Sequence, residues 1–361
     1  MKVAFHGGQL LQPVPGGIGR YEVEVLARLG DFGVDAIAFA SGARPDDVPT
    51  RVPWIDTGWP HGSVRYELWH RLRRPVIRIP ADLVHAPSLA VPPVADRPLV
   101  VTAHDVAFLR LPHVTTRRGV EFHRRGLELA RRHAQRVIVP SEFTGRELEQ
   151  EGFDPDRIDV IPFGVTPPSP RTDDDIDDAV ARAGVRAPYV LTVGTVEPRK
   201  DVTTIVDAIA VLRRTHPDLT LAVVGPRGWG EVMGLDRSFV RVLGSLPWNT
   251  LDALYRRAAA FCSASLYEGF GLPGVEAMAH GAPAVVSTGS SLEEVVRGAG
   301  VLFKPGDVDA CADALQRVLD DDDLRAELRR AGFARAAELS WERCVELHAV
   351  TYARALAHAA P

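Results

Sequence analysis

Short apolar runs alternate along the chain with longer stretches whose apolar side chains recur at helical spacing. The runs at 2–6, 34–40, 82–86, 98–103, 136–140 and 158–163 form one series of predicted strands. A second series follows at 188–194, 219–225, 239–243, 259–263, 283–287 and 300–304. These runs are rich in Val, Ile, Leu and Ala without strict polar–apolar alternation, the pattern of strands buried on both faces of a parallel sheet. Helix end signals stand between them: Ser141 and Asp201 as N-caps, Gly30 and Gly152 as stops. Repeated strand–helix units of this kind predict an α/β chain with open sheets and right-handed crossovers.

The two series are separated by "TPPSPRTDDDIDDAVARAGVRAP" at 166–188, where no strand fits. It reads as a linker followed by a short helix, so two Rossmann-like domains are predicted, at 1–170 and 171–340. In open α/β sheets ligands bind beyond the carboxyl ends of the strands, which puts the expected site in a cleft between the halves. The last stretch, 341–361, reads as an amphipathic helix.

Composition narrows the function. The 361 residues suit two domains, and a net charge of −5 from 47 acidic and 42 basic side chains argues against a general nucleic-acid-binding surface. Cys262, Cys311 and Cys344 are scattered with no C-x-x-C, so neither a disulfide framework nor a zinc ribbon is supported. No apolar run nears the roughly 20 residues of a membrane span, and "MKVAF" enters the first strand directly. The expectation is a soluble, cytoplasmic protein.

Four segments carry candidate chemistry. Gly16, Gly17 and Gly19 precede a helix predicted to begin near Arg20, where glycines and free N–H groups suit an anion. They lack the spacing of the dinucleotide fingerprint, and a plain turn accounts for them equally well. His104 and Asp105 fall just past a predicted strand, as a functional pair or a structural hydrogen bond. Arg199 and Lys200 in "VGTVEPRKD" stand at the mouth of a helix, where two cations beside the dipole suit a diphosphate. Finally, "YEGFGLPGVEAMAHGAPAVVS" places Glu268 in a glycine-rich loop and Glu276 inside the following helix, as acceptors for sugar or ribose hydroxyls.

With these segments the chain resembles the retaining GT-B glycosyltransferases of glycosyltransferase family 4, over nearly its whole length. The early Gly-Gly loop, "TAHD", "VIVPSEFTGREL", "VGTVEPRKD" and the Glu268-x7-Glu276 element carry the resemblance. It implies a GT-B fold, donor binding mostly by the second domain and acceptor binding mostly by the first. It also implies that the terminal helix crosses back onto the first domain. Carried over, Arg199 and Lys200 clamp the donor diphosphate and Glu268 binds the sugar hydroxyls. Phe270, Gly271 and Leu272 contact the donor, and Glu276 holds the ribose. Gly16 and Gly17 approach the diphosphate, and His104 touches the transferred sugar. Arg227, Gly228, Ser245 and Leu246 occupy loops that contact phosphate, base or ribose in this family. Many relatives carry an arginine where this chain has Thr195, and Arg199 is the expected substitute.

The same resemblance favours a mannosyltransferase using GDP-mannose, with a glycan, lipid-linked or small-molecule acceptor and no metal or other cofactor. Asp154-Pro-Asp156 and Asp173–Asp175 match an acidic metal motif only superficially. Two basic segments, 65–78 with five arginines and 116–136 with seven, suit either solvated helices or peripheral contact with an anionic membrane. The alternatives are a GT-B sugar-nucleotide epimerase and a non-catalytic sugar-nucleotide-binding subunit.

Overall fold

A computed structural model of the chain describes residues 1–58 and 63–358. It divides into two compact units: Met1–Gly164 with Trp341–Pro361, and Val165–Ser340. The first unit holds a seven-stranded sheet of β1 (Lys2–His6), β2 (Asp35–Ala40), β3 (Trp54–Asp56), β4 (Leu83–Ala86), β5 (Leu99–Thr102), β6 (Arg136–Val139) and β7 (Ile158–Val160). Their order is β3-β2-β1-β4-β5-β6-β7 and every pair is parallel. The second unit holds β8 (Tyr189–Val193), β9 (Thr220–Val224), β10 (Val240–Gly244), β11 (Ala260–Ser263), β12 (Ala284–Ser287) and β13 (Gly300–Phe303). Their order is β10-β9-β8-β11-β12-β13, again all parallel.

Each sheet therefore reverses direction once, between β1 and β4 in the first unit and between β8 and β11 in the second. Those switch points open a crevice at the carboxyl ends of the strands, the usual ligand position in such sheets. The central strands are apolar on both faces: Val3, Ala4, Phe5, Val190 and Leu191 are all fully buried. Helices cover the sheets, as with Ile205 and Ile209 against Leu221 and Cys262 in the second core. The apolar runs matched their strands closely. The sequence reading missed β3, a three-residue edge strand, "WID", without an apolar run. It exists only because Trp54 and Ile55 pair with Ala38 and Phe39 of β2.

Local signals fared unevenly. Ser141 Oγ accepts the Thr144 N–H at 3.1 Å, and Gly152 follows its helix at φ 83°. Asp201 precedes the helix Val202–Leu212 in a left-handed conformation, and its carboxylate takes the Thr204 hydroxyl at 2.7 Å rather than a backbone N–H. Gly33, not Gly30, ends the first helix region in the left-handed geometry. The early glycines belong to that helix, Gly16–Arg28, which starts earlier than Arg20. The units divide between Gly164 and Val165, ahead of the expected 170/171. Phe163 still packs on Tyr21 and Trp341, whereas the Val165 N–H bonds the Leu339 carbonyl. The helix Trp341–Ala357 belongs to the first unit, while 359–361 lie outside the described residues. A buried chain of bonds holds it there: Tyr352 to His85 at 2.8 Å, and His348 to Tyr21 at 2.6 Å.

Candidate active site

The second unit builds its site where β8 and β11 diverge. After β8 the chain runs through Gly194 to a short turn, Pro198–Lys200, that delivers Arg199 and Lys200 ahead of the helix Val202–Leu212. After β11 a loop carries Ser265 and Glu268 to the helix Leu272–Ala279. Gly271 joins loop to helix at φ 91°, and a Cβ there would stand 2.3 Å from Leu292 Cδ2, so a side chain at this bend would strain the backbone and push Leu292 aside.

The two loops meet through charge. Lys200 Nζ donates to Glu268 Oε1, and Arg199 Nη1 donates to Glu268 Oε2 at 3.2 Å and to the Tyr267 carbonyl at 2.8 Å. Arg199 Nε also donates to Glu197 Oε1 at 3.0 Å. Ser265 Oγ donates to Glu268 Oε1 at 2.7 Å, and the backbone is braced by Leu266 N–H to the Arg199 carbonyl at 2.9 Å. Burial alone would raise the Glu268 carboxyl, but Lys200 and then Arg199 outweigh it and hold its pKa at about 2. Glu197, 2% exposed, is raised by its burial despite the same two cations. A small, narrow cavity beside Lys200 is lined by Gly194, Thr195, Ser263 and Ser265.

Thus Arg199, Lys200 and Glu268 come together, and the cations are engaged by carboxylates rather than solvated. Glu276 lies deeper, 4% exposed, with Oε2 accepting the hydroxyl of fully buried Tyr255 at 2.8 Å. Phe270, Gly271 and Leu272 line the same loop–helix junction. Arg227 and Gly228 are exposed on the loop after β9, which a bridge between Val196 and Arg227 ties to the Arg199 loop. Ser245 and Leu246 follow β10 at the same end of the sheet. Sequence reasoning missed Glu197, Tyr255 and Ser265. Glu197 stood in plain view in "VEPRK", whereas nothing local marks the other two.

The sequence candidates His104, Asp105, Gly16 and Gly17 lie in the first unit. His104 follows β5, with Nε2 hydrogen-bonded to the Pro87 carbonyl at 2.7 Å, and burial lowers its pKa. Asp105 accepts the Ala107 N–H at 3.0 Å at the start of the next short helix, while His104 turns to the Pro87 carbonyl. Gly16 and Gly17 open the first helix with nothing within 4 Å of an added Cβ. At this unit's own switch point lies a pocket of about 700 Å³ that sequence reading did not find.

The acidic motifs have local duties. Asp154 accepts the Asp156 N–H, and Asp173 pairs with Arg257 at 2.7 Å. Among the described residues no group of three or more His, Cys, Asp or Glu is placed to hold a metal ion, and no helix is long and apolar enough to cross a membrane. Much of the basic segments' charge is paired: Arg71 with Glu67 at 2.6 Å, Arg131 with Glu128 at 3.0 Å, Arg136 with Asp159 at 2.6 Å.

Comparison with known proteins agrees with this layout. Residues 15–168 match the family model for glycosyltransferase family 4, and residues 173–335 match that for glycosyl transferases group 1. The O-antigen chain mannosyltransferase B of Escherichia coli is 29% identical over 95% of this chain and 97% of its own. The D-inositol 3-phosphate glycosyltransferase of Salinispora arenicola is 30% identical over 99% of this chain and 92% of its own. Among solved structures, Anabaena HepE in complex with UDP-glucose superposes with a TM-score of 0.75 at 21% identity, over 98% of this chain and 99% of its own. Sucrose-phosphate synthase from Thermosynechococcus elongatus gives the same score and identity over the full length of both. The paired parallel sheets are those of the GT-B fold, and the chain belongs to glycosyltransferase family 4 as a glycosyltransferase.

Proposed function

We propose that the protein is a retaining, metal-independent hexosyltransferase that moves mannose from GDP-mannose to a glycan or lipid-linked acceptor. The observation that carries the reading is the Lys200–Glu268–Arg199 cluster spanning the β8/β11 switch point. Two cations there meet the two demands of the reaction. They hold the donor's diphosphate, and they stabilise the charge that grows on it as the glycosidic bond breaks. One well-placed donor of this kind is worth roughly 3–4 kcal/mol of transition-state stabilisation. Glu268, kept ionised, accepts from the hydroxyls of the transferred sugar, and Glu276, oriented by Tyr255, accepts from the ribose.

In the proposed step the acceptor hydroxyl attacks the anomeric carbon on the face the diphosphate leaves. Its proton passes to the departing phosphate oxygen, and configuration is retained. Mannose is favoured because a mannosyltransferase is among the full-length relatives. His104 and the Gly16–Gly17 turn supply the first unit's contribution. The setting is cytoplasmic, and peripheral contact at a membrane's inner face is the second-choice reading of the basic segments.

The test is a panel of GDP-mannose, UDP-glucose and dTDP-sugars, with and without saccharide acceptors, followed by nucleotide release and by proton NMR of the anomeric signal. GDP released from GDP-mannose with an α-linked product is the expected result. Isomerised donor would identify an epimerase instead, and binding of every donor without turnover a passive module.

A further inference from the structure

The pocket of the first unit lies at the β1/β4 switch point. Gln9 and Gln12 come from the loop after β1, and Ser88 and Leu89 from the loop after β4. Its wall is aromatic. His70 stacks on Phe122 with centroids 4.6 Å apart and planes at 14°, and Tyr66 lies 5.8 Å from the same ring. Phe122 is half-exposed on the arginine-rich helix Arg117–His133, so an apolar ring faces the cavity where the flanking positions are charged.

Charge on the lining is balanced. Glu67 and Glu121 stand against Arg118 and Arg125, and Arg125 bonds both carboxylates, Glu67 at 3.3 Å. Burial and then Arg73 push His70 down to about 4, so it adds no charge at neutral pH. A phosphate entering here would meet carboxylates and guanidiniums in equal number, with no net charge to hold it. A neutral polyhydroxylated ring would find acceptors and donors together, with the apolar C–H face of the ring laid on aromatic edges and faces.

Below the pocket Arg65 is 3% exposed. Its Nη2 donates to the Tyr66 hydroxyl at 3.2 Å and its guanidinium lies 4.9 Å from the Tyr66 ring. This fixes the Tyr66 wall and engages its oxygen, leaving the hydroxyl proton for a ligand.

We infer that this pocket seats a neutral pyranoside, the end of a saccharide chain, as the acceptor, and that Phe122 is its stacking platform and selects it over phosphorylated polyols. The inference rests on the glycosyltransfer reading above and names the acceptor class for it.

The test uses the full chain and saturation-transfer NMR with calorimetry. The probes are methyl α-mannopyranoside, α-linked mannobiose and myo-inositol 1-phosphate, with GDP and UDP titrated in parallel. The expected result is mannoside binding without donor, lost by tenfold or more in Phe122→Ala and kept in Phe122→Tyr, with inositol phosphate failing to compete. Thermal melts of both variants separate loss of the platform from loss of the fold. If Phe122→Ala does not fold, Glu121→Gln takes its place, with weaker mannoside binding expected. Tighter, Phe122-dependent binding of inositol phosphate overturns the inference, as does mannoside binding indifferent to both substitutions. Nucleotide binding without saccharide binding sinks the acceptor inference and leaves the donor site standing. Saccharide binding without either nucleotide supports the pocket and sinks the donor reading.

Discussion

Glu22 and Glu268 are buried alike, at 1% and 8% exposure, yet their carboxyls move in opposite directions. Glu268 sits among Lys200, Arg199 and Ser265 and is held ionised. Glu22, on the first helix, has burial as its dominant influence and is pushed well above the carboxylate range, with only the Leu10 amide opposing. Among the described residues no charged group pairs with Glu22 in the way Lys200 and Arg199 pair with Glu268, and in the same unit both ring nitrogens of buried His6 have no hydrogen-bond partner. The second unit concentrates paired charge at its switch point, whereas in the first burial keeps Glu22, His6, His85 and His348 neutral. The contrast fits a division of labour: a diphosphate needs fixed cations, and a neutral saccharide needs polar groups without net charge.

The harshest way to break the comparison is to remove its central cation. Lys200→Ala should lower kcat/KM by about 10²–10³, the loss of one preorganised donor to the leaving phosphate. It also leaves Glu268 buried with Arg199 alone, so the melting temperature should fall. Steady-state rates and melts on the same preparation measure both. Activity within a few fold of the parent would mean that the cluster is structural.

Next in size are the two glutamates themselves, whose pH dependence should run in opposite senses. The Glu268 pKa is depressed on folding, so its stabilisation is present above the ordinary carboxylate range and drains away as pH falls from about 4.5 towards 2. For Glu22 the folded pKa is raised, so the unfolded chain loses its proton first and stability declines as pH rises above that range. Glu268→Gln should therefore melt below the parent at pH 7, with the gap closing in acid. Glu22→Gln should melt above the parent at pH 7, with its gap also closing towards pH 4.5. Melts across that range decide it, and a shift of the same sign for both would erase the distinction between the units.

A smaller effect separates orientation from charge within the second unit. Tyr255→Phe removes one hydrogen bond to a buried carboxylate, worth about 1.5–3 kcal/mol for a charged acceptor. The expected outcome is a roughly tenfold or greater rise in the donor KM with kcat changed less. A fall in kcat alone would place Glu276 in the chemistry instead of on the ribose.

How much of this was legible follows the same division. Arg199, Lys200, Glu268 and Glu276 were readable because the second site is built from two continuous loops, each directly after an apolar run. The Lys200–Glu268 pairing itself was not, since the sequence separates the residues that the β8/β11 reversal brings together. In the first unit the pocket draws on residues near 9, 66, 88 and 122, with no motif in any of them. Phe122 was hidden inside a segment whose arginines dominated the reading. The edge strand β3 escaped for a related reason: its structure comes from a neighbour and not from its own pattern.

The gentlest probe bears on the early glycines, where fold and function can be separated. Gly16 has φ 62°, so alanine there incurs about 1–2 kcal/mol of left-handed strain. Any activity it loses is confounded with stability. Gly17 has no positive φ and open space around an added Cβ, so Gly17→Ala should leave stability within about 0.5 kcal/mol of the parent. The space that admits a methyl group is also the space through which a backbone N–H would meet a phosphate. If the turn touches the donor, Gly17→Ala should raise the donor KM severalfold while the melt stays still. If both are unchanged, these glycines only start a helix, and the anion chemistry belongs to the second unit alone.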